Sequence, residues 1–219
     1  MFRPSSLVVA FVGLSAVGFG QIPFTISQDS SFQVGYAANL NVGDSFVNLS
    51  NDGANGGPLS KTTGNICVNT YVFDPQEEEI SCCSCLVTPN GMNSLSAKTD
   101  LISNNLTPSV PTSIVIKLVG STPAPDASLN LTICNPAALD PVGGNLTFGM
   151  LAWGATLEPN ATPGTYGIIQ APFLQGALST GPNSELNALT QVCNFIQANG
   201  SGYGICKSCR LGALAGPKQ

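Results

Sequence analysis

Eight cysteines carry most of the chemistry this chain of 219 residues has to offer: Cys67, Cys82, Cys83, Cys85, Cys134, Cys193, Cys206 and Cys209. Cys82-Cys83-Ser84-Cys85 and Cys206-Lys207-Ser208-Cys209 each contain the C-x-x-C spacing used for zinc ligation and thiol exchange. Four thiolates can hold zinc, but these pairs lie much further apart than those of a zinc ribbon. A redox pair would have Lys207 or Arg210 to favour a thiolate, yet it lacks the βαβ surroundings such motifs carry. An even count behind an export signal favours a disulfide framework, and sequence does not choose the pairing. Neighbouring Cys82 and Cys83 are too close to bridge each other and must take different partners. If their segment is extended, Cys83 and Cys85 share one face and Cys82 points to the other. At least one bridge from this cluster to Cys193, Cys206 or Cys209 is expected, closing a loop of about a hundred residues or more.

The remaining candidates are sparser. The chain has no histidine, which removes Ser-His-Asp and Cys-His catalysis and histidine metal sites. Asp74 with Glu77, Glu78 and Glu79 could feed a calcium site or supply glycosidase carboxylates. A contiguous run does not place two acids across a cleft, so Gln76 to Glu79 is expected to be an exposed acidic loop. Trp153 sits in an apolar strand and is expected in the core. A sugar-stacking platform would draw on Tyr71, Trp153, Tyr166 or Tyr203. Ser201-Gly202-Tyr203-Gly204 follows a helix, the reverse of a phosphate cradle's order. No catalytic, cofactor-binding or metal-ligating residue is assigned.

The elements that must position these groups are mostly short strands. Arg3, the apolar run Leu7–Val17 and the small residues Ala16, Gly18 and Gly20 form a signal peptide over residues 1–20, too short to span a bilayer. No later run reaches spanning length. Residues 22–50 alternate apolar and polar side chains between Gly and Asp turns. Asn65–Phe73 is the strongest strand, with others expected at Ser113–Val119, Ser128–Cys134, Leu146–Leu157 and Tyr166–Leu174. A helix over about 184–199 is capped by Asn183 or Ser184, faces inward through Leu186, Leu189, Val192, Cys193 and Ile196, and stops at Asn199-Gly200. Residues 211–219 are expected to form a flexible tail. Charged residues are only 9% of the chain and the net charge is −5, against nucleic acid and anionic membranes as partners.

Three segments, NICVNTYVFDPQEEEISCCSC (Asn65–Cys85), CNFIQANGSGYGICKSC (Cys193–Cys209) and GDSFVNLSNDGA (Gly43–Ala54), resemble a family of uncharacterised secreted cysteine-rich bacterial proteins. The resemblance carries no activity. It implies that the N-x-Ser/Thr triplets at Asn48, Asn105, Asn130, Asn145, Asn160 and Asn199 are unmodified.

The expectation is an all-β antiparallel sandwich of jelly-roll or immunoglobulin-like type over residues 21–210, stapled by disulfides, with one C-terminal helix. Function is expected to be non-enzymatic: a secreted structural or adhesion-like component of a cell surface or matrix, associating with itself or with other surface proteins. Residues 21–40 could donate a strand to a neighbour. The alternatives are a glycan-binding module or carboxylate-dependent hydrolase, and an extracellular thiol redox protein using Cys206 and Cys209.

Overall fold

A computed structural model describes residues 31–56, 64–126 and 131–209. The signal peptide, residues 21–30 of the expected donor strand, Arg210 and the tail 211–219 lie outside the described residues.

The strands begin with β1 (Phe32–Ala37), β2 (Phe46–Asn51), β3 (Ile66–Phe73) and β4 (Glu79–Val87). They continue with β5 (Met92–Ser96), β6 (Ile114–Ser121), β7 (Ala124–Asp126) and β8 (Leu131–Ile133). After β9 (Met150–Pro159), β10 (Tyr166–Pro172) and β11 (Leu174–Gln175) come the helix α1 (Glu185–Ala198) and β12 (Gly204–Ile205). A π-helical turn spans Ala97–Leu101 and a 3-10 turn Lys207–Cys209.

The larger sheet runs β11-β1-β6-β3-β4-β12 and the smaller one β10-β9-β2-β5. Their pairings are antiparallel except that of β12, which lies parallel to β4. β7 and β8 form a separate ribbon. Alternation decides what each strand buries. Val68, Val72, Ile116 and Leu118 of the larger sheet meet Val47, Leu49, Leu95 and Met150 of the smaller one in a first core. Tyr71, Cys82 and Val119 point out of the other side of the larger sheet and meet Leu186, Leu189, Cys193 and Ile196 of α1 in a second. Helix, larger sheet and smaller sheet are therefore stacked in that order. Each buried Leu or Ile of α1 contributes about 1.5–3 kcal/mol. The stacking explains why β3 is buried at every position but Phe73: a strand covered on both faces has no solvent side.

Ser184 caps α1, its hydroxyl accepting from the Asn187 amide, and Glu185 stands at the positive helix end. The chain leaves the helix through Gly200 at φ 78°. One step of the path needs glycine for space: after β10 the chain crosses to the larger sheet, driving the Phe173 ring into the first core beneath Gly35. A Cβ on Gly35 would lie 2.5 Å from that ring.

Three expectations change. β1 pairs along its whole length with β6 of its own sheet, so residues 32–37 are not a free strand for a neighbour. Glu79 is no loop residue: it opens β4 opposite Phe73 and is only 7% exposed. Leu146 lies before β9, held by an isolated bridge to Ser121.

Candidate functional site

The cysteines close four bridges: Cys67–Cys134, Cys82–Cys193, Cys83–Cys206 and Cys85–Cys209. β4 is extended, so Cys82 reaches α1 on one face while Cys83 and Cys85 reach the C-terminal segment on the other. Cys206 and Cys209 are bonded to β4 rather than to each other, which removes the disulfide a redox reading of that C-x-x-C requires. All eight sulfurs belong to residues no more than 7% exposed. Those near one another, in Cys85, Cys206 and Cys209 and in Cys82 and Cys193 beside Glu79, are half-cystines with no thiolate to offer a metal.

Asp100, which sequence reasoning passed over, locks this end of the molecule. Its buried carboxylate accepts from the Ser96 amide at 2.8 Å, the Ser208 amide at 2.7 Å and the Ser208 hydroxyl at 2.8 Å. Gly202 completes the junction at φ 66°, where a Cβ would meet the Cys82 carbonyl at 2.8 Å. Within Ser201–Gly204, Gly202 thus serves the close approach of two backbones, while a Cβ on Gly204, at φ 60°, would touch nothing.

The acids are split by the β3–β4 turn. Asp74 accepts from the Gln76 and Glu78 amides and shapes the turn, while Glu77 and Glu78 are exposed. Glu79 instead lines a cleft of about 440 Å³ between the larger sheet and α1, together with Phe73, Asp74, Glu77, Val115, Lys117, Glu185, Ala188, Leu189 and Val192. Lys117 pairs with Glu185 and lies 4.3 Å from the Phe73 ring centroid. With Lys117 so engaged, Oε1 of Glu79 is buried without any hydrogen-bond partner. Burial raises the Glu79 pKa to about 9; the Lys117 charge pulls it down and the Glu185 charge pushes it up. The same burial, with the Glu79 charge adding to it, holds the Tyr71 phenol well above its usual range. Only the pairing of β4 with β3 and the docking of α1 bring Glu79 and Glu185 to one cleft, so no local signal could have found it.

The aromatic candidates separate as well. Tyr71 is fully buried and donates to the Pro136 carbonyl, and Tyr203 lies under Lys207 with its hydroxyl against Ser103. Trp153 is not in the core. It is half-buried on the outward face of the smaller sheet, because β9 turns Met150 and Ala152 inward. Phe46, Met92, Leu151, Tyr166 and Ile168 share that face by register, and all of them are exposed. Ile168 is 73% exposed and Met92 60%, so the face is apolar well beyond the single scattered residue that any surface carries. Across its four strands the one charged residue is Glu158, which accepts from the Tyr36 hydroxyl. β10 pairs with β9 on one side, and no other described strand pairs with it on the other.

Compared with known proteins, the chain matches no family model, no curated protein and no solved structure. Among the described residues no helix is long and apolar enough to cross a membrane. Four closed bridges point to folding in an oxidising environment.

Proposed function

We propose that this is a secreted, non-enzymatic structural or adhesion-like protein of a cell surface or matrix, which assembles with copies of itself through β10 and the outward face of the smaller sheet. The observation that carries the reading is the combination of an uncharged, exposed apolar sheet face with an open edge strand, Tyr166-Gly167-Ile168-Ile169-Gln170-Ala171-Pro172. Proteins that remain apart normally blunt such an edge with charge, an internal proline or a covering segment. The larger sheet ends in strands of two residues, β11 and β12, and offers far less to pair with. We also read the two-sheet stack as a sandwich of jelly-roll or immunoglobulin-like kind, the architecture of many surface modules.

Glycan binding is the second reading, favoured by Trp153, Tyr166 and Phe46 standing on one face beside Asn48. The most exposed members are aliphatic and give a sugar no stacking surface, so self-association takes precedence. Sedimentation of the disulfide-intact mature chain tests the choice. Concentration-dependent assemblies that vanish in Ile168→Lys support the proposal. A monomer at every concentration that binds oligosaccharides through Trp153 would replace it with the second reading.

A further inference from the structure

The cleft under α1 holds a buried acid that its single lysine does not satisfy. Lys117 is committed to Glu185 and to the face of Phe73. Asp74 spends one oxygen on the backbone amides of its turn. Glu79 is left only 7% exposed, with Oε1 sealed from water and accepting nothing. A carboxyl group removed from water short of partners is destabilised, and because Glu79 lines the cleft a ligand that brings a donor to this carboxyl would relieve it. The rest of the lining defines that ligand. Phe73, Val115, Ala188, Leu189 and Val192 form apolar walls suited to an aliphatic stem, while Asp74, Glu77, Glu79 and Glu185 oppose a single lysine. Glu185, in the first turn of α1, offsets the partial positive charge of the helix end.

We propose that this cleft is a binding site for an alkylammonium group, either a free aliphatic amine or the side chain of a lysine, whose N–H donates to Glu79 while its stem lies against Phe73, Leu189 and Val192. The bound ammonium replaces the missing donor and stabilises the Glu79 carboxylate, so Glu79 gives up its proton to solvent as the ligand enters. Five titratable groups surround that event: Lys117 from β6, Glu185 from α1, Tyr71 from β3, and Asp74 and Glu77 from the adjoining turn. Nothing in this site depends on the sheet face invoked for assembly.

Calorimetry of the disulfide-intact protein with n-hexylammonium chloride is the test, with Nα-acetyl-lysine N-methylamide as a second arm and n-hexanol as the uncharged control. Binding of either ammonium supports the proposal. Hexylammonium alone identifies a free amine as the source, and the lysine derivative identifies a protein side chain. Affinity should rise by up to about tenfold per pH unit below the free-state pKa of Glu79. Glu79→Gln, a neutral isostere, should bind about 10- to 100-fold more weakly and lose that pH dependence. Heats measured on the unaltered chain in buffers of different ionisation enthalpy report proton release directly, so the test stands even if the variant does not fold. Hexanol binding as tightly as hexylammonium, binding without proton release, or no binding of either ammonium at millimolar concentration overturns the site.

Discussion

Glu79 shows how one side chain can carry opposite costs in folded and unfolded chain. Its folded pKa of about 9 stands above the ordinary 4.5, so the unfolded chain ionises first as pH rises. The residue's contribution to stability is full below about pH 4.5 and is lost progressively toward pH 9. Glu79→Gln should remove that decline, leaving the variant more stable at about pH 8 by an amount on the order of a few kcal/mol. Parallel melting profiles for the two chains across this window would show that Glu79 is not held neutral. Gly35 makes the complementary steric case. Gly35→Ala places a methyl group against the Phe173 ring and should lower stability by about 1–3 kcal/mol in denaturant titrations, as overpacking does. Asp100→Ala leaves the Ser96 and Ser208 amides without their acceptor, at a cost of about 2 kcal/mol or more. Sequence alone showed the acids and the glycine but not these roles. Each depends on a partner from a different part of the chain: α1 for Glu79, the β10–β11 crossing for Gly35, the C-terminal segment for Asp100.

The three bridges from β4 are not equivalent constraints. Cys83–Cys206 and Cys85–Cys209 join the same two short segments, at separations of 123 and 124 residues. With one of them closed, the other completes only a small ring. Replacing Cys85 and Cys209 by alanine should therefore cost about 2 kcal/mol in the chain-entropy account, against about 5 kcal/mol for a lone bridge of that span. Removing both bridges should release the C-terminal segment, seen as rapid hydrogen exchange at Tyr203 and Cys206, whose amides now bond to the Cys82 and Ser84 carbonyls. A double removal that costs only the sum of the two single removals would mean that the bridges act independently. The alternation of β4 was readable in advance: Cys83 and Cys85 on one face, Cys82 on the other, with a long-range link to the C-terminal cysteines. Their individual partners were not, since α1 and the segment that carries Cys206 and Cys209 approach opposite faces of β4 for reasons no local pattern records.

Among the described residues, the folded chain covers the larger sheet on both sides and leaves the outward side of the smaller sheet bare. Ile168→Lys places a charge on the most exposed part of that bare side without touching either core. It should dissociate assemblies of the mature chain and leave the melting temperature of the monomer within about 1–2 °C of the parent, as surface changes do. The same substitution at Val142, exposed in a loop away from this face, serves as the control and should change nothing. Light scattering against concentration reads both variants. If Ile168→Lys and its parent scatter alike, β10 is not a contact.

By itself the sequence determined what is local or compositional: a strand at β3, a capped helix ending at Gly200, extended cysteines on alternating faces, and no histidine chemistry. These follow from periodicity, turn residues and residue type, which act over a few positions. The order of strands in the two sheets, the pairing of the bridges, the burial of Glu79 and the outward turn of Trp153 were decided by tertiary structure. In each case the deciding interaction joins residues far apart in the chain. Whether a face is inside depends on what packs against it, not on which residues it carries. Trp153 and Glu79 illustrate this in opposite directions: the apolar ring stays at the surface because no described element packs on the outward face of the smaller sheet, and the acid is buried because α1 covers the larger one.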